Sequence, residues 1–118
     1  MKKISYKIKC SSRNCARAIE QKIEGMMFEK NIVNKDFYFG IDHRSKSCWK
    51  VTELSTGLAV GEGWNRETCL NNFEDNMRKI GDKFSELVDK HIDRLGICNW
   101  TVTTVSKNPK VITIIKGN

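Results

Sequence analysis

The feature that most constrains the fold is an amphipathic stretch from Asn65 to Leu95, about a quarter of the chain. Its apolar residues recur at a mean spacing of roughly 3.6, the period of a helix with one buried stripe. An unbroken helix of this length would span about 45 Å, but a compact chain of 118 residues is only about 35 Å across. The helix must therefore bend, or one end must protrude. The stripe is formed by Leu70, Phe73, Met77, Ile80, Phe84, Val88, Ile92 and Leu95.

A break in this stretch is predicted at Gly81, because a glycine inside a helix costs about 1 kcal/mol relative to alanine. Asp82 follows it and is able to cap a second helical segment. Asn65 is the expected N-cap of the first segment, and Glu67 in the first turn complements the helix dipole. The sequence thus predicts a kinked helix.

The remaining segments predict six strands and one further helix. Residues 3–10 alternate as a half-buried strand, and Ser12 begins a predicted helix that ends at about Glu29. Strands follow over 37–42, 49–53, 58–63, 100–106 and 111–115. The glycines of 58–63 predict a bulge or a close backbone approach.

The predicted order is β-α-β-β-β-α-β-β in one domain over residues 1–118. The class is α+β, an antiparallel-dominated sheet with two helices packed on one face. The predicted core comprises Ile4, Tyr6, Ile8, Ile19, Ile23, Phe37, Phe39, Trp49, Val51, Leu70, Phe73 and Met77.

Composition limits where the protein acts. No run of about 18 apolar residues is present, so no transmembrane span is expected. The lysine-rich N-terminus alternates like a strand where a signal peptide would be uniformly apolar. Five cysteines, an odd number without tight spacing, predict free thiols in a reducing cytoplasm, that of the host if the chain is phage-encoded.

Catalysis is not expected, and neither is a cofactor. No phosphate-binding glycine loop, HExxH or close carboxylate pair occurs. His43 follows Asp42, but no nucleophile is placed for it by any motif. A zinc site is the one metal alternative, although its pairs are spaced more widely than structural zinc sites prefer. Its ligands would be Cys10, Cys15, His43 and Cys48.

The net charge of +7 is concentrated in the first half of the chain. Residues 1–50 carry twelve Lys and Arg against five Asp and Glu, whereas residues 51–96 carry six against nine. This asymmetry predicts a side that faces a polyanion, although a solvated basic surface gives the same pattern. The predicted contacts to a nucleic acid or nucleoprotein complex are Lys7, Lys9, Arg13, Arg17, Arg44, Lys46 and Lys50.

The alternative is a protein-interaction module that makes no nucleic-acid contact. In that interpretation the second half of the long helix packs against a partner or a second copy of the chain, because short strands leave its stripe uncovered. The closing hairpin around Trp100 and Ile112 would otherwise cover it. The residues of this predicted dimer or partner helix are Phe84, Leu87, Val88, Ile92 and Leu95.

Two resemblances extend these expectations. Residues 13–80 are predicted as helix, three strands and helix, which resembles double-stranded RNA-binding domains. The segment Trp49-Lys-Val-Thr-Glu-Leu-Ser-Thr-Gly-Leu-Ala-Val-Gly-Glu-Gly, with the following Asn-Arg-Glu-Thr-Cys-Leu-Asn-Asn-Phe, is similar to the sheet-then-helix core of HicB-like antitoxins and to a hairpin-helix module of phage proteins.

The chain as a whole resembles accessory proteins of phages and mobile elements, among which are anti-CRISPR inhibitors. That resemblance implies a non-catalytic inhibitor of a host defence complex, or an antitoxin-like dimer. It assigns no functional residue.

Overall fold

A computed structural model describes residues 2–11, 18–97, 99–104 and 111–116. Within them, seven antiparallel strands form one sheet in the order β5-β4-β3-β2-β1-β6-β7, so the α+β class is confirmed. The elements are β1 Lys2–Ser11, β2 Ala18–Ile32, β3 Lys35–Ser45, β4 Cys48–Glu53, β5 Ala59–Gly63, α1 Arg66–Ile80, α2 Lys83–Leu95, β6 Asn99–Thr104 and β7 Val111–Lys116.

The helix predicted from Ser11 or Ser12 to about Glu29 is wrong over residues 18–29, because Ala18–Ile32 forms strand β2. Residues 12–17 lie outside the described residues. The first part of β2 pairs with β1 and its last part with β3. Met26 and Phe28 pack toward the helices, whereas Ile23 and Met27 join a cluster with Ile4 and Leu54. Both faces of the strand therefore carry apolar residues, and this hides the alternation that marks a strand with one buried face.

This correction also removes the element order that resembled double-stranded RNA-binding domains. A strand, not a helix, precedes β3, β4 and β5. The three antiparallel strands followed by α1 are present as predicted.

The long helix is broken at Gly81, as predicted. Asn65 caps α1 by accepting a hydrogen bond from the Thr68 backbone N–H at 2.7 Å, and α1 ends at Ile80. Gly81 has a φ of 54°, and α2 begins at Lys83. Asp82 occupies the predicted N-cap position of α2, but its side chain makes no capping hydrogen bond.

The main core lies between the helices and one face of the sheet. The rings of Phe39 and Phe73 meet edge to face at 4.8 Å, and those of Phe37 and Phe84 do the same. Of the predicted core, seven residues are buried and two, Trp49 and Leu70, are partly buried against this cluster. The buried residues are Ile4, Ile23, Phe37, Phe39, Val51, Phe73 and Met77. The side chains of Tyr6, Ile8 and Ile19 lie outside the described residues.

Part of the apolar stripe of helix α2 is covered within the chain. Phe84 and Val88 are buried in the chain's own core, so assigning them to a dimer face is wrong. Strand β3 covers Phe84 through the rings of Phe37 and Phe39. Ile92 is partly buried, Leu87 is exposed, and the side chain of Leu95 lies outside the described residues.

The close approach predicted from the glycines of β5 is present. A Cβ at Gly61 would lie 2.7 Å from Cβ of Phe73, and one at Gly63 would lie 2.4 Å from the backbone N of Cys69. Helix α1 therefore lies directly on the β5 backbone. Its Asn72 and Asn76 amides donate to carbonyl oxygens of Glu62 and Val60. These bonds cover the outer edge of the sheet, where unpaired carbonyl groups favour aggregation.

The turn between β2 and β3 is a strained part of the fold. Val33 and Asn34 have φ values of 47° and 63°, as a type I′ turn requires, but a β-branched residue is disfavoured at positive φ. Val33 is 62% exposed, so its side chain contributes little burial. We expect Val33→Asn to raise the free energy of unfolding by about 1 kcal/mol and the Tm by about 4 °C. Thermal unfolding followed by circular dichroism checks this, and a lower Tm would contradict the assignment of strain.

Candidate nucleic-acid interface

Strand direction brings several connections to one end of the sheet, which we call the hairpin end. Strand β1 finishes there at Ser11 and β2 starts there at Ala18. The β3–β4 hairpin turns there at Lys46 and Ser47. Strand β5 ends there at Gly63 and α1 begins three residues later. The strand directions thus place the C-terminal ends of β1, β3 and β5 at one end of the sheet.

An aromatic stack supports the tip of the β3–β4 hairpin. The rings of His43 and Trp49 lie 4.6 Å apart and nearly parallel, at 9°. The Nε2 atom of His43 lies 3.3 Å from the carbonyl oxygen of Lys46. The stack holds the turn, and the side chain of Lys46 is exposed at its tip.

Arg44, a predicted phosphate contact, is engaged within the protein. Its Nε and Nη2 donate to the two carboxylate oxygens of Asp42 at 2.7 and 3.0 Å. Asp42 is buried, and a buried carboxylate that loses its cation is destabilising by about 3 kcal/mol or more. The structure therefore gives Arg44 a structural role that the sequence did not reveal.

Other cations of the basic first half pair with the acidic second half. Lys50 Nζ lies 3.4 Å from a carboxylate oxygen of Glu62, and Lys30 Nζ lies 2.8 Å from one of Glu74. Lys35 Nζ lies 3.9 Å from Asp89 on α2. Some of the basic residues of the first half thus form ion pairs that connect β4 to β5 and connect β2 and β3 to the helices. Exposed ion pairs of this kind each contribute about 0 to 1 kcal/mol to the free energy of unfolding.

The structure describes the remaining predicted nucleic-acid contacts only in part. Lys7 and Lys9 lie on β1, where they oppose Lys22 and Glu20 of β2, and their side chains lie outside the described residues. Arg13 and Arg17 also lie outside the described residues. Among the predicted basic residues whose side chains are described, Lys46 is the exposed one at the hairpin end.

Trp64 is an exposed aromatic residue that the sequence reading did not single out. It follows the last residue of β5 and precedes the cap of α1, and it is 71% exposed. Its indole N–H donates to Oγ1 of Thr68 at 3.0 Å, which orients the ring at the start of the helix. Gly63 pairs with Trp49, so Trp64 lies at the same end of the sheet as the hairpin. No signal in the sequence indicates this exposure, because an apolar residue next to an N-cap usually packs against the helix.

No group of three or more metal-ligating side chains is formed by the described residues. Of the four zinc candidates, His43 is stacked on Trp49, and Cys48 is a free, partly buried cysteine. Cys10 lies on β1, two strands from β3, with its side chain outside the described residues, and Cys15 lies outside them altogether.

The other described cysteine is a core residue. Burial raises the pKa of the Cys69 thiol to about 11, and the negative charge of Asp42 adds to this effect. The thiol therefore stays protonated at neutral pH, and it lies 3.8 Å from the carbonyl oxygen of Gly61, to which it donates. A protonated, fully buried thiol is a packing group and not a nucleophile.

Neither α1 nor α2 is long and apolar enough to cross a bilayer, in the part of the chain that the structure covers. Comparison with protein-family models, curated proteins and solved structures finds no match to this chain. The resemblances to antitoxins and to phage accessory proteins therefore stay predictions.

Proposed function

We propose that this protein is a non-catalytic binding protein that engages a nucleic acid, either free or within a nucleoprotein complex, through the hairpin end of its sheet. The observation that carries the proposal is the exposure of Trp64 beside the start of α1, at the same end as the exposed Lys46 turn. An exposed aromatic ring supplies a stacking platform, worth about 1 to 3 kcal/mol per base. A lysine and a helix N-terminus supply phosphate contacts.

The charges of the whole chain favour the same partner. The protein carries a net charge of +7, and its three C-terminal lysines add to the excess in the first fifty residues. Among the cations of the first fifty residues, the described ion pairs use Lys30, Lys35, Arg44 and Lys50. Lys46 has no such pair among the described residues, so it is available to a phosphate without breaking an internal contact.

The structure determines which residues a test should change. Arg44 and Lys50 are unsuitable, because replacing them also breaks contacts to Asp42 and Glu62. The informative variant combines Lys46→Glu with Trp64→Ala, since both side chains are exposed. Lys79→Glu combined with Leu87→Ala is the matched control, because it changes the charge equally and removes a comparable exposed apolar group on the helices.

Fluorescence anisotropy with duplex and single-stranded RNA and DNA, and with a guide-loaded CRISPR effector, gives the readout. We expect binding at low salt to at least one target, with a log Kd that rises linearly with log salt. The Lys46→Glu, Trp64→Ala variant should bind at least about tenfold more weakly, through lost stacking and one lost phosphate contact. Equal losses in the control variant, or no binding to any target, would overturn the proposal.

A protein-interaction module using α2 is the competing function, and the exposure of Leu87 is the observation that favours it. In that case Leu87→Asp abolishes function, and the Lys46→Glu, Trp64→Ala variant leaves it intact. Val88→Asp is unsuitable as a test, because Val88 is buried in the core and its replacement would unfold the protein.

A further inference from the structure

A cavity of about 420 Å³ lies at the end of the sheet opposite the hairpin end. It is bounded by the start of β3, the turn after β4 and the second half of α2. Its apolar walls come from Phe37, Val88, Ile92 and Ile97, and Ile97 is 38% exposed at its rim. A space of this size accommodates one long side chain of a partner.

The backbone of β3 has an open edge beside this cavity. The β3–β4 ladder begins at the pair of Phe39 and Glu53, and the Leu54 N–H then donates to the Tyr38 carbonyl oxygen. The first residues of β3 extend beyond that point and pair with β2 on their other side.

The two-residue turn fixes which amide groups face the open edge. It makes Ile32 and Lys35 the hydrogen-bonded pair that closes the hairpin, so the backbone groups of Lys35 face β2. Those of Asp36 then face away from β2, on the same side as the Tyr38 carbonyl, and Asp36 also lines the cavity. No described residue hydrogen-bonds the Asp36 backbone there.

The charge of the cavity is negative, opposite to that of the chain. Its lining residues include three acidic ones, Asp36, Glu53 and Asp89, and one basic one, Lys35. Oδ1 of Asp36 accepts a hydrogen bond from the Asn31 amide at 2.8 Å. Lys35 lies beside Asp89 and over the Phe37 ring, at 5.4 Å from its centroid. Glu53 is 2% exposed and has no cation within the described part of the chain.

We propose that this cavity binds an extended segment of a partner protein that carries a lysine or arginine. The segment adds as a strand along the open edge of β3 at Asp36, and its basic side chain enters the cavity. Main-chain hydrogen bonds supply affinity in strand addition, and the pocket for an alternate side chain supplies specificity. The apolar walls contact the methylene groups of that side chain, and the negative charge of the acidic lining residues attracts its cationic end.

The probes for this proposal are blocked pentapeptides added to the ¹⁵N-labelled full chain and followed by NMR. The peptide Thr-Val-Arg-Val-Thr should shift the amide resonances of residues 35–38, 53–55 and 88–97. Its counterpart with a central glutamate should not. A version of the arginine peptide with N-methylation at the central residue should lose most of its affinity, because it cannot complete the ladder.

A pair of double variants tests how much the acidic lining residues contribute to peptide binding. Asp36→Asn combined with Asp89→Asn should raise the Kd of the arginine peptide about fivefold. Asp75→Asn combined with Asp93→Asn is the matched control and should leave the Kd unchanged, since neither residue lines the cavity. Equal binding of the arginine and glutamate peptides, shifts confined to other residues, or unaltered binding of the N-methylated peptide would overturn the proposal. None of these outcomes depends on nucleic-acid binding.

Discussion

Replacing Glu53 by glutamine is expected to lower the free energy of unfolding by about 3 kcal/mol. Each carboxylate oxygen of this buried residue accepts two hydrogen bonds from the turn that follows β4. Oε1 accepts from the backbone N–H and hydroxyl of Ser55, and Oε2 accepts from the same two groups of Thr56. An amide NH₂ in place of either oxygen would face a backbone N–H that has no alternative acceptor in the turn.

Urea unfolding followed by tryptophan fluorescence measures this effect. Glu62→Gln is the matched control, because the Glu62 side chain is 60% exposed and its carboxylate pairs with Lys50 at the surface. That variant should change the free energy of unfolding by less than about 0.5 kcal/mol. Equal changes in the two variants would show that the turn does not depend on the Glu53 carboxylate.

The second large effect is expected from Gly63→Ala, which should lower the free energy of unfolding by about 3 kcal/mol. The added methyl group would lie 2.4 Å from the backbone N of Cys69 and 2.8 Å from its Cα. Both are helix backbone atoms, so a rotamer change cannot relieve the overlap. Helix α1 would have to move away from β5, which loosens the packing of Cys69 and Phe73.

Gly81→Ala separates this steric effect from the general cost of replacing a glycine. A Cβ at Gly81 meets nothing within 4 Å, so its cost comes from the φ of 54° alone. That cost should be about 1 kcal/mol. The same urea titrations measure both variants, and a loss for Gly63→Ala no larger than that for Gly81→Ala would contradict the close contact between α1 and β5.

Local signals in the sequence predicted the second half of the fold well. The Asn65 cap, the break at Gly81 and the close approach at Gly61 each depend on one residue whose backbone or capping preference is strong. Strand β2 could not be predicted in the same way. Its apolar residues face two different clusters, and the resulting spacing of three and four residues is also that of a helix stripe.

The candidate site was predicted less completely, because charge pairing and exposure depend on tertiary neighbours. Arg44 reads as a loop cation in the sequence, and only the burial of Asp42 shows that it is engaged. Glu53 reads as the end of an alternating strand, and only the turn that folds back over it explains its burial. Trp64 reads as a helix-flanking apolar residue, and its exposure depends on how α1 packs on β5.

The most direct test of the proposed function is a hydrogen–deuterium exchange footprint on the wild-type protein, with and without the nucleic acid that binds most tightly at low salt. We expect slower exchange at residues 43–48 and 64–68, the turn and helix start of the hairpin end. Residues 35–38 and α2, at the opposite cavity, should exchange at the same rate in both samples. Protection confined to the cavity or α2, or no protection anywhere, would contradict the assignment of the hairpin end as the nucleic-acid interface.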